Sequence, residues 1–215
     1  MKIGIIGSGI VGRVLATAFM KEGYQVMMGT RNTKKEEVVK WKNENEGGQT
    51  GTFEESARFG EILVLATGGL VTIDAINLAG PVNFNAKVVI DATNPIAAAP
   101  PQNGVLKFFT NLDESLMEMI HKVIPDAKLV KAFNIIGNAY MYKPQFPGGP
   151  PTMFICGNDA AAKKTVTGIL DSFGWETEDM GMIEAARAIE PLCILWCIPG
   201  MLRNDWKIAF KLLKA

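Results

Sequence analysis

The chain has 215 residues, 22 Lys plus Arg against 22 Asp plus Glu, and is 48% hydrophobic and 20% charged. This balance excludes a global field that would draw the chain to nucleic acid or an anionic membrane surface, and the apolar content excludes a disordered chain. One domain built on one large sheet is expected over residues 1–215.

The first apolar run, Lys2 to Ile6, is broken only by glycine and reads as a buried strand rather than a secretory leader. Directly after it, Gly7-Ser8-Gly9-Ile10-Val11-Gly12 joins that strand to a helix expected over Val11 to Lys21. In that context the glycine spacing has a mechanism. The first makes the tight turn, the second lets backbone approach a pyrophosphate, and the third lets helix and strand pack closely. The second strand, Tyr24 to Met28, runs into Gly29-Thr30-Arg31-Asn32 and a helix over Thr33 to Glu44. A site for NAD usually presents an Asp or Glu here to the ribose 2′-hydroxyl. This segment has neither, and Arg31, with Thr30 and Lys35 as further donors, suits a 2′-phosphate. NADP is the expected nucleotide. Cations clustered at a helix start oppose the helix dipole, a second reason to expect an anion there.

A weaker strand at Gln49 to Phe53 and a helix at Glu54 to Phe59 come next. Strands at Glu61 to Ala66, Lys87 to Ala92 and Lys128 to Phe133 follow, separated by helices at Val71 to Ala79 and Ser115 to Val123. This alternation belongs to a Rossmann-type, doubly wound α/β fold, whose ligands lie beyond the carboxyl ends of the strands. Ala66-Thr67-Gly68, Thr93-Asn94-Pro95 and Asn134 end three of those strands and are expected to frame the nicotinamide. Tyr140 to Pro151 is a loop rich in Pro and Gly. Strands at Thr152 to Gly157 and Trp175 to Met180 then flank a helix from Ala160 to Phe173 capped by Asp159, and helices at Ile183 to Ile198 and Asp205 to Lys214 follow. The expected architecture is a mostly parallel sheet of about eight strands with a short helical C-terminal end. Residues 1–138 would form the core dinucleotide fold and 139–215 an α/β extension.

Gly7-Ser8-Gly9, Gly29-Thr30-Arg31-Asn32, Val130-Lys131-Ala132-Phe133-Asn134, Phe154-Ile155-Cys156-Gly157-Asn158 and Ala186-Arg187-Ala188-Ile189-Glu190-Pro191 together resemble the NADPH-dependent coenzyme F420 reductase family. Its relatives include the oxidoreductase domain of the STEAP metalloreductases. The nucleotide motifs are shared with many dehydrogenases, whereas the Phe133-Asn134 and Arg187 to Pro191 segments are more particular to this family. The resemblance implies hydride transfer between NADP(H) and a flavin or deazaflavin ring. It also implies nucleotide contacts at Thr30, Arg31 and Lys35, and at Asn94 and Asn134 near the nicotinamide. It does not choose among F420, FMN, FAD and other acceptors.

Such a transfer needs rings stacked at near-attack distance more than it needs a proton donor, so no catalytic side chain is named. His121, the single histidine, reads as an ordinary helix-surface residue. Cys156, Cys193 and Cys197 give neither a disulfide framework nor a metal spacing. As reduced thiols they fit a cytoplasmic protein, with Cys193 and Cys197 read as buried hydrophobes at i and i+4. Arg187 and Glu190, at i and i+3, are expected to pair along their helix. The apolar stretch Cys193 to Leu202 is too short to span a bilayer and suits a homodimer contact or a cleft cover. Two other readings share the glycine loop: a reductase of a small imine or hydroxy acid, which relies on an added all-helical domain, and a non-enzymatic NADP sensor.

Overall fold

A computed structural model describes residues 1–215. The first half of the chain alternates β1 (Lys2–Ile6), α1 (Ile10–Lys21), β2 (Gln25–Gly29), α2 (Glu36–Glu44), β3 (Gln49–Gly51), α3 (Phe53–Phe59), β4 (Ile62–Leu65), α4 (Thr72–Ala79) and β5 (Val88–Asp91). The remainder adds α5 (Leu116–Val123), β6 (Lys128–Lys131), β7 (Thr152–Ile155), α6 (Ala160–Ser172), β8 (Glu176–Asp179), α7 (Ala186–Ile189) and α8 (Leu192–Arg203).

β1 to β6 form one parallel sheet in the order β3-β2-β1-β4-β5-β6, the doubly wound arrangement with its switch point between β1 and β4. Ile3, Ile5 and Ile6 of β1 and all four residues of β4 are buried, as strands covered by helices on both faces require. One apolar core of 51 buried residues runs from β1 through α6 to α8.

The structure corrects the sequence reading at its C-terminal end. β7 and β8 form a separate two-stranded parallel sheet rather than extending the six-stranded one to eight. The loop after β6 returns β7 antiparallel to it, so the two sheets meet through a single bridge, Lys131 to Cys156, instead of a ladder. Residues 205–214 form neither helix nor strand. Asn204 ends α8 in the left-handed conformation at φ 55°. The indole of Trp206 then lies against that of Trp196, with ring centroids 5.4 Å apart. Beyond it the Ile208 and Phe210 carbonyls accept from Trp196 Nε1 and the Thr152 N–H, both at 2.8 Å. These long-range partners take the carbonyls a helix would have used. The helical run Ile183–Arg203 is 21 residues and, by length and composition alone, apolar enough to cross a bilayer, longer than the Cys193 to Leu202 stretch suggested. Here its Ile183, Ala186, Ile189, Cys193, Trp196 and Cys197 are buried in the core.

Candidate functional site

At the switch point the glycine loop shows why each position needs glycine. Gly7 sits at φ +130°, and a Cβ there would lie 2.5 Å from the Ala66 carbonyl oxygen. A Cβ at Gly12 would lie 2.1 Å from the Gly7 carbonyl oxygen. Gly9 is different, since a Cβ there meets nothing within 4 Å. Its missing side chain relieves no internal clash and instead leaves open space in front of α1. That helix starts with no side-chain cap and no acid in its first turn. By contrast α3, α5 and α6 are capped by Thr52, Ser115 and Asp159. The free amides of Ile10, Val11 and Gly12 therefore face a space suited to an anion.

A cleft of about 200 Å³ in front of this loop is lined by Gly7, Ser8, Gly9, Thr30, Arg31, Lys35, Ala66, Thr67 and Gly68. Phe53, Val71, Asp74, Ala75 and Leu78 complete its walls, five residues the glycine and strand-end signals did not reach. Thr30 is 3% exposed and its hydroxyl is already engaged, accepting from Ser8 Oγ at 2.9 Å and from the Asn32 N–H at 3.3 Å. It shapes the loop more than it offers a donor. Asn32 turns inward on its own loop, its Oδ1 accepting from the Lys34 N–H at 2.9 Å. Lys35 precedes α2 and has Glu37 3.8 Å away. Arg31 is exposed on the cleft wall with no carboxylate within 4.0 Å. Ile10 is 55% exposed and its side chain points to a different groove, on the outer face of α1 beside Trp41 and Tyr142.

One strand further along, Asn94 and Asn134 bind each other. Asn94 Nδ2 donates to the Asn134 carbonyl at 2.7 Å, and Asn134 Nδ2 donates to Asn94 Oδ1 at 3.1 Å and to the Ile189 carbonyl at 3.3 Å. A Cβ on Gly69 would lie 2.1 Å from the Asn94 carbonyl oxygen, so the loops after β4 and β5 are in contact and the amide pair adjoins the cleft. Pro95 beside them is buried, and its carbonyl accepts from the Phe109 N–H at 2.9 Å rather than facing the cleft. Asn134 is 3% exposed, yet its Oδ1 has no hydrogen-bond partner. A buried acceptor left unpaired is costly, and it suits the carboxamide N–H of a nicotinamide.

Behind this edge lies a buried ion cluster that the sequence reading missed. Lys131 Nζ is 2.8 Å from Asp91 Oδ2 and 2.8 Å from Glu190 Oε1. Burial pulls the ammonium pKa down, but Asp91 first and Glu190 second outweigh it and leave it above the ordinary lysine value. The expected Arg187–Glu190 pair therefore does not form. Arg187 turns outward and forks onto Glu118, with Nη2 2.6 Å from Oε1 and Nε 3.0 Å from Oε2. That fork holds the Glu118 carboxyl at about 2, against the opposing pull of its burial. The available signal was charge inside apolar strands, Asp91 after Val88-Val89-Ile90 and Lys131 after Leu129-Val130. Cys193 and Cys197 are buried and unpaired as expected.

The family model for coenzyme F420-dependent NADP oxidoreductases matches residues 2–95. The crystal structure of a candidate F420-dependent NADP reductase from Arthrobacter sp. FB24 superposes with a TM-score of 0.93 at 31% identity, over 100% of both chains. The chain belongs to the coenzyme F420-dependent NADP oxidoreductase family. It is an NADP-dependent oxidoreductase, and the cofactor is NADP. The F420-dependent NADP reductase of Methanocaldococcus jannaschii is 27% identical over 202 residues, 89% of each chain. The rat metalloreductase STEAP3 is 30% identical over 213 residues, and this family member spans 40% of that protein's length. The open Gly9, the uncapped α1, the carboxylate-free Arg31 and the unpaired Asn134 Oδ1 all fit the cofactor of this family.

Proposed function

We propose that this chain, acting as a single domain, transfers a hydride between NADP(H) and a flavin or deazaflavin ring. The observation that carries this reading is that the three charged groups behind the amide edge are locked in one buried cluster, while Asp74, the one acid lining the cleft, stands on α4 at the glycine-loop end. Asp91, Lys131 and Glu190 are 0%, 0% and 2% exposed and occupied with one another. His121 lies in another cleft, with Pro125 and Asp126. Reduction of an imine or a carbonyl needs a proton placed on nitrogen or oxygen, whereas transfer between stacked rings needs chiefly alignment. Residues after Asn134 build β7, α6 and β8 rather than an all-helical unit, which also disfavours the imine and hydroxy-acid reading.

Bound NADPH supplies the hydride from its nicotinamide ring. Arg31 and Lys35 hold the 2′-phosphate, and the first amides of α1 hold the pyrophosphate. Asn134 Oδ1 accepts from the carboxamide and fixes the plane of the ring. A recess lined by Phe108, Leu112, Pro191 and Ile194 together with Thr110, Asn111, Arg187 and the edge of Glu190 receives the acceptor. Cytoplasmic location and a homodimer complete the proposal. Cys156, Cys193 and Cys197 are free thiols, and Leu195, Met201 and Leu202 expose 54%, 43% and 55% of their surface on α8. A strict monomer by light scattering would remove the dimer.

The test is oxidation of NADPH by the purified protein with F420, FMN, FAD, riboflavin and a cyclic imine in turn. Turnover with a deazaflavin or flavin supports the reading. Turnover with the imine alone, or tight NADPH binding with no acceptor reduced, overturns it.

A further inference from the structure

Asp91, Lys131 and Glu190 are the only charged residues of the chain that are buried, and all three lie directly behind the Asn94–Asn134 pair. Asn94 follows a residue the cluster holds, and Asn134 hydrogen-bonds to the residue before Glu190. Next to Asn94, Thr93 donates its N–H and its hydroxyl to Asp91 Oδ1 at 2.9 and 2.6 Å, while its carbonyl accepts from Lys131 Nζ at 2.9 Å. The Ile189 carbonyl that accepts from Asn134 Nδ2 belongs to the residue before Glu190. Glu190 is fixed in turn by the Leu116 and Met117 N–H groups at 3.0 and 3.1 Å. Between Lys131 and Asn134 the backbone passes through Phe133 at φ +65°, a conformation that side chains rarely adopt and that surrounding structure has to enforce.

A buried ion cluster is a weak source of net stability, since apolar residues of similar volume often do as well. Stability alone does not explain why the chain buries charge at this one place. We propose that the Asp91–Lys131–Glu190 cluster is a positioning device for the nicotinamide end: it sets the Asn94–Asn134 pair, and through it the carboxamide acceptor Asn134 Oδ1, without touching the nucleotide. This inference rests on the reading of Asn134 as a nicotinamide contact.

Glu190→Gln keeps the side-chain size and leaves the Asp91–Lys131 pair in place, but its amide nitrogen must face one of the donors Glu190 now accepts from, so the melting temperature is recorded beside the affinities. The experiment titrates wild type and Glu190→Gln with NADPH and with 2′,5′-ADP, which carries the 2′-phosphate but no nicotinamide, and records the fluorescence of bound NADPH. The expected result is an unchanged affinity for 2′,5′-ADP, a roughly tenfold loss of the extra affinity that NADPH shows over it, and altered nicotinamide fluorescence. Asp91→Asn, on the other side of the cluster, should move the same quantities in the same direction. If both variants melt at lower temperature but keep the wild-type ratio of affinities, the cluster is merely structural and the proposal falls. Equal losses for the two ligands overturn it as well. A wild type that binds NADPH no better than 2′,5′-ADP removes the Asn134 reading itself and the proposal with it.

Discussion

At the pyrophosphate end the chain leaves groups unanswered. The first turn of α1 has no cap, the space beyond Gly9 is open, and Arg31 has no carboxylate partner. At the amide end almost everything is answered internally: two asparagines bond each other, the buried Lys131 bridges Asp91 and Glu190, whose remaining charge is met by backbone N–H groups, and only Asn134 Oδ1 is left over. On the proposed function, the first end would be completed by its ligand and would read which nucleotide is present, whereas the second, assembled beforehand, would fix where the reacting ring lies, as transfer between stacked rings demands.

Breaking the closed end should cost folding. Lys131→Met leaves Asp91 and Glu190 buried without a counter-charge and should lower unfolding stability by about 3–5 kcal/mol, measured by denaturant titration. A loss below about 1 kcal/mol would mean that the cluster repacks or hydrates freely. Breaking the open end should cost binding and not folding. Gly9 has an extended conformation open to any residue, φ −67° and ψ −177°, and nothing within 4 Å of an added Cβ. Gly9→Val should therefore melt like wild type while binding NADPH about a hundredfold more weakly, about 2.8 kcal/mol. Gly7→Ala, at φ +130° and against the Ala66 carbonyl, should instead destabilise the fold by about 1–3 kcal/mol. If the two glycine variants behave alike, the distinction between ligand space and turn geometry is wrong.

The smallest effect sharpens the boundary of the closed end. Glu118 has its folded pKa depressed from 4.5 to about 2, with Arg187 the first cause. Its contribution is complete above pH 4.5 and is lost as the pH falls from 4.5 towards 2. Arg187 is 39% exposed, so solvent screening reduces that contribution to about 1 kcal/mol. Glu118→Gln should flatten the acid limb of a stability–pH curve by that amount and leave neutral-pH NADPH affinity alone. An unchanged acid limb would show that the fork carries no weight in solution.

The open end was almost fully legible in the sequence, because Gly7, Gly9, Gly12 and Arg31 act through local backbone geometry and through position relative to one strand–helix junction. The first six strands were legible for the same reason, as their alternation with helices is a local pattern. Lys131 and Glu190 were not, since their pairing joins β6 to the end of α7 across 59 residues of chain, and i,i+3 spacing pointed Glu190 to Arg187 instead. Residues 205–214 have a helix-like composition, but Trp206 against Trp196 and the Phe210 carbonyl on Thr152 decide their conformation through partners far away in sequence. Thr30 could be placed beside the glycine loop from the sequence but not in its hydrogen bonding, which depends on the Ser8 hydroxyl that reaches it across the loop.

The most direct test of the two-ended site is the affinity of wild type and of Arg31→Ala for NADPH and for NADH. Arg31 stands unpaired on the cleft wall and should supply a charge-assisted bond to the 2′-phosphate alone. The expected result is a wild type that prefers NADPH and a variant that loses about 1.5–3 kcal/mol for NADPH with NADH binding unchanged. Equal losses for both nucleotides, or a wild type indifferent between them, would contradict it.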